Sequence, residues 1–83
     1  MGRNPALAFW KAKTIAILTE LTQKYPEHKL ELNKAFYLVD KANKFNIHSV
    51  IIDLRKLLSF LTEEELGKII PDSETIEEIF KGE

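Results

Sequence analysis

Few residues of this chain could carry chemistry, and their spacing argues against a reacting site. The two histidines, His28 and His48, stand far apart in sequence. A metal site built on a helix wants two histidines at i and i+4 with a carboxylate in reach, and neither histidine has such a neighbour. His28 reads as a loop residue beside Pro26, and His48 as a first-turn residue of a helix. Asp53 and Arg55 lie two apart on that same helix, where side chains diverge rather than pair, so each is expected to meet a neighbouring helix or water. Ser49, Ser59 and Ser73 lack a nearby base, and the 3 glycines, at 2, 67 and 82, are too scattered to cradle a phosphate. With no cysteine, disulfides, thiolate metal sites and cysteine nucleophiles are excluded together. General acid–base catalysis needs paired groups in a cleft, and a chain of 83 residues leaves little room for one. No enzyme activity, metal, cofactor or small-molecule ligand is expected.

Binding chemistry is better represented. Lys34, Tyr37, Lys41 and Lys44 recur at helical spacing and would project along one face, as phosphate-contacting lysines with an interleaved aromatic do. Nucleic-acid contact through these four residues is therefore one reading. Against it stand a pI of about 6.1 and the scarcity of arginine, the usual reader of guanine edges. A helix-turn-helix over residues 27–61 is weaker still, because its second helix would offer Ile52, Asp53 and Phe60 to the groove. Charge is nonetheless lopsided. Residues 1–45 hold 8 Lys/Arg and 4 Asp/Glu, a balance of +4, whereas residues 46–83 hold 4 and 9, a balance of −5; the two sum to the net −1. Such asymmetry marks either an interaction surface or an acidic end folded beside a basic one.

The elements that would position these residues are all helical. The most apolar run, Ile47 to Leu61, places Ile47, Val50, Ile51, Leu54, Leu57, Leu58 and Leu61 on one face at about 100° per residue, so this helix is expected to be the one around which the others pack. A strand over His48–Leu54 is the competing reading, given its β-branched residues, but no partner strand is in sight. Asn4-Pro5 opens a first helix, 5–25, stopped by Pro26. Its face is Leu7, Trp10, Thr14, Ile17, Leu18, Leu21 and Tyr25, with Ala8, Ala12 and Ala16 beside it. A second helix is expected over 27–44, with Leu32, Ala35, Phe36, Val39 and Ala42 inward. Asn46 either caps the third helix, 47–61, or ends the second in a left-handed conformation. Thr62 and Glu65 form a capping box for a short helix, 63–70, which Gly67 weakens and Pro71 ends. Asp72 or Ser73 caps the last, 73–81, with Ile76, Ile79 and Phe80 inward and Gly82 as terminator. The chain, 1–83, reads as one all-α domain, a compact helical bundle of three longer and two short helices.

Hydrophobic residues make up 45% of the chain, more than these inner faces use. Phe9, Ile52 and Phe60 lie off them, and the first helix is apolar nearly all round over its first three turns. Either the fold wraps the first helix centrally or a second chain covers it, and exposed surface of that kind marks a protein interface. The expected function is that of a small interaction or regulatory module, a homodimer paired through Phe9, Trp10, Ala12, Ala16, Ile52 and Phe60. The apolar runs fall short of the roughly 18 residues of a membrane span, and no secretory leader is recognised, so a cytoplasmic location is expected. The excess of lysine, glutamate and isoleucine runs in the direction of hyperthermophile usage, a bias that an AT-rich genome also produces.

Overall fold

A computed structural model describes residues 4–82. It contains α1 (Pro5–Lys24), a 3-10 turn (Pro26–His28), α2 (Lys29–Asp40), α3 (Ile47–Leu57), α4 (Glu63–Ile69) and α5 (Ser73–Lys81), with no strand among the described residues. The strand reading of His48–Leu54 is thereby set aside, and the fold is all-α.

α1 begins where Asn4 Oδ1 accepts the Leu7 N–H at 3.1 Å, with Pro5 just inside the helix. It ends at Tyr25, whose backbone (φ −125°, ψ 65°) has left the helical region that a following proline disfavours. Trp10, Thr14, Leu18 and Leu21 are buried along one face. The expectation that Ile47–Leu61 would be the hub is overturned. α1 packs against α2, α4 and α5, whereas α3 lies principally against α2. The physical reason is length: α1 has 20 residues against 11 in α3, enough to receive α2, α4 and α5 along its inner sides.

α2 is shorter at both ends than the expected 27–44. Pro26–His28 form a separate 3-10 turn, and helical geometry stops at Lys41. Beyond it two asparagine side chains take over the backbone's hydrogen bonds. Asn43 Oδ1 accepts from the Phe45 and Asn46 N–H groups, at 2.8 and 2.9 Å. Asn46 Oδ1 accepts from the Asn43 N–H at 2.7 Å, and its Nδ2 donates to the Lys41 carbonyl. Such local bonds compete with helix continuation. Asn46 therefore occupies the cap position of α3 without a side-chain capping bond, and at φ −112° it is not left-handed.

α3 stops at Leu57 rather than Leu61, and a turn carries Leu58 and Leu61 back into the core, where both are buried. The expected face survives although the helix does not. Thr62 and Glu65 form both bonds of the capping box on α4, and Asp72 caps α5 through the Thr75 N–H at 2.7 Å. Phe80, expected inward, is exposed beside His48. Gly82 follows α5 in extended backbone, not in a left-handed cap. The core is assembled from every helix: Leu18, Leu32, Ile47, Leu54, Ile69 and Ile79 are fully buried. Among the described residues one polar side-chain atom is trapped there, the Thr14 hydroxyl, which is buried without a partner.

Candidate interaction surfaces

Of the residues singled out for chemistry, His28 is tied into the fold, whereas His48, Asp53 and Arg55 are exposed. His28 sets Nδ1 against Glu31 Oε2 at 2.8 Å, and its ring stacks on Phe60 with centroids 3.7 Å apart. That contact holds the Glu31 carboxyl below its ordinary range. Tyr25 meets Phe60 edge-on. His48 has Phe80 as its aromatic neighbour. No described group of three His, Asp or Glu side chains could hold a metal ion.

Two of the six residues expected at the interface are withdrawn into the monomer. Trp10 is 4% exposed, and its indole N–H donates to the Ile69 carbonyl at 2.8 Å. It satisfies an otherwise unpaired acceptor in the last turn of α4. Phe60 is half-buried under His28 and Tyr25. The sequence carried a hint for Trp10, which belongs to the inner face of α1 at its 3- and 4-residue spacings. Nothing local announced the His28–Phe60 stack, because the 3-10 turn brings those residues together across the fold.

The other four are on the outside. Phe9 is 71% exposed and Ile52 53% exposed, and Ala12 and Ala16 are exposed as well. Ile52 belongs to α3. Phe9, Ala12 and Ala16 share an outer arc of α1 with Pro5, Ala8, Ile15 and Thr19, all exposed. At about 100° per residue these seven, and the exposed but uncharged Gln23, lie within roughly 60° of Ala12. No charged residue falls in the arc. Lys13 and Glu20 border it on one side and Lys11 on the other. None of α2, α4 or α5 covers it, so α1 presents to the outside a face that is uncharged and, apart from Thr19 and Gln23, apolar.

A second surface lies between α2 and α3. Leu30, Asn33, Tyr37 and Leu38 form one wall and Asp53 and Leu57 the other, with Lys34 and Lys56 at the rims. Leu30 is 75% and Tyr37 64% exposed. The four-residue basic row is broken here. Lys34, Tyr37 and Lys41 stay on the outer side of α2, with the Lys41 ammonium 5.9 Å from the Tyr37 ring centroid. Lys44 lies past the end of α2, and its ammonium donates to the Gly82 carbonyl at 2.9 Å. The early stop of α2 accounts for its departure from the row.

No described helix is long and apolar enough to cross a membrane. Comparison with protein-family models, curated proteins and solved structures finds no match to this chain.

Proposed function

We propose that this chain is a small non-enzymatic interaction module that works through exposed helical surface and pairs with a second copy of itself through the outer arc of α1. The observation that carries the reading is the exposure of Phe9 and Ile15 in an arc free of charge. Single exposed apolar residues are ordinary, whereas a continuous uncharged helix face invites cover. A twofold partner supplies the same surface in return, the commonest arrangement of small oligomers. A cytoplasmic location is part of the same proposal.

Nucleic-acid contact through Lys34, Tyr37 and Lys41 is the competing reading. It is favoured by the exposure of Tyr37 and disfavoured by the loss of Lys44 to Gly82 and by Asp53 in the same groove.

Sedimentation at tens of micromolar tests the pairing. About twice the monomer mass is expected for the wild type. Phe9→Glu should return the chain to monomer with its helical content intact, because Phe9 lies outside the core. A wild type that stays monomeric at that concentration refutes the proposal, and so does a dimer indifferent to Phe9→Glu.

A further inference from the structure

The pairing just proposed leaves open how the two copies lie, and the charges beside the arc decide it. We infer that two copies join α1 to α1 antiparallel, about a dyad passing between Ala16 and Ile17, with Lys13 of each copy beside the partner's Glu20. The inference rests on the self-association reading and adds orientation and register to it.

The argument starts from the borders of the arc. Lys13 and Glu20 are on the same border, both exposed, and neither is ion-paired with another described residue. When two helices pair antiparallel about a twofold axis, like borders meet with their directions reversed. Lys13 can then stand level with the partner's Glu20 and Glu20 with the partner's Lys13, two opposite-charge contacts from one register. The opposite border brings Lys11 level with the partner's Thr22, which is neutral. A parallel pair joins unlike borders at equal height. It would set Lys13 beside the partner's Lys11, while Lys11 is already committed to the Asp40 carbonyl at 2.8 Å. Like charges in that position oppose assembly, and opposite ones favour it and fix register.

The same register suits the shape of the face. Ala16 lies nearest the dyad, and its small side chain lets the two axes approach to the short end of the usual 8–10 Å range. A single pair of helices of about 30 Å falls short of the roughly 1,600 Å² of a standard interface, so the dimer is expected to be weak and concentration-dependent.

The chain has no cysteine, which makes single-cysteine crosslinking a clean test. Near the proposed dyad the two copies of residue 16 come within disulfide distance, with Cα atoms about 5 Å apart. The two copies of residue 8 are about 25 Å apart, at 1.5 Å per residue. Oxidation of Ala16→Cys is therefore expected to yield covalent dimer, and that of Ala8→Cys, a control that is also exposed, is not. Lys13→Glu and Glu20→Lys should each weaken the sedimentation dimer about five- to tenfold, and the double reversal should restore it. Crosslinking of both cysteine variants means a parallel pair: it overturns the register and leaves self-association standing. A dimer that Phe9→Glu abolishes but the charge reversals do not touch likewise overturns the register alone. A wild type monomeric at every concentration, with neither cysteine linking, overturns both proposals.

Discussion

Tyr25, at the end of α1, donates its phenolic hydrogen to Glu65 Oε1 across 40 positions of sequence, at 2.8 Å. The same carboxylate closes the capping box of α4 by accepting the Thr62 N–H at 3.0 Å, and its second oxygen accepts from Lys24 at 2.7 Å. Glu65 is thus the cap of one helix and the latch that ties it to another.

That arrangement makes stability depend on pH at both ends of the scale. The hydrogen bond from Lys24, then the Thr62 N–H and the Tyr25 hydroxyl, hold the Glu65 carboxyl down at about 2, against an ordinary 4.5. A carboxyl lowered in the folded state stabilises fully above its unfolded value, and the gain is lost as pH falls through the folded one. The acid limb should therefore run from about pH 4.5 to about 2. Tyr25 and Lys24 are both raised, chiefly by their hydrogen bonds to Glu65. Their contribution is complete below pH 10 and is lost as pH rises beyond it. Melting temperature measured against pH is expected to fall less steeply on the acid side in Glu65→Gln. The limb should persist in part, because Glu31 and Asp72 also titrate below their ordinary values. An unchanged acid limb in Glu65→Gln would show that the latch is not formed in solution.

Thr14 offers a gain rather than a loss. Its hydroxyl is fully buried and unpartnered, and a buried donor left unsatisfied costs roughly 1–3 kcal/mol. Thr14→Val keeps the branched shape and removes the orphan group. Denaturant unfolding should report a stabilisation of about 1 kcal/mol with an unchanged slope. A destabilised Thr14→Val would mean that the hydroxyl finds a partner in solution.

Which parts of this fold could be read from the sequence follows from which interactions are local. The capping box of Thr62 and Glu65, the stop at Pro26 and the inner face of α1 depend on residues within a turn or two of each other, and each was legible. The end of α2 was less so, because Asn43 and Asn46 act through side-chain bonds that no hydrophobic period records. The burial of Trp10 follows from its place on that inner face, but its hydrogen-bond partner is a carbonyl 59 positions away, and the stack of His28 on Phe60 rests on a crossing of distant segments. The outer arc of α1 was half legible. The surplus of apolar residues stood in the sequence, but whether α2, α4 and α5 would leave the arc open depended on which helix became the hub.

The ends of the chain supply the last prediction. Asn4 uses both ends of its amide: Oδ1 caps α1 through the Leu7 N–H, and Nδ2 donates to the Ile79 carbonyl in the last turn of α5 at 2.7 Å. Gly82 makes room for it, since a Cβ there would lie 2.5 Å from Asn4 Cγ. Asn4→Ala removes both bonds and should cost about 1–2 kcal/mol, the range of a strong N-cap. Gly82→Ala should also destabilise, not through its own backbone, which is extended and open to any residue, but by displacing the Asn4 amide. The two losses then share one cause and cannot add. In a double-mutant cycle followed by denaturant unfolding, Gly82→Ala should cost markedly less in the Asn4→Ala background than in the wild type. Additive losses would separate the two residues and leave the closure of α1 on α5 to the packing of Ile76 and Ile79.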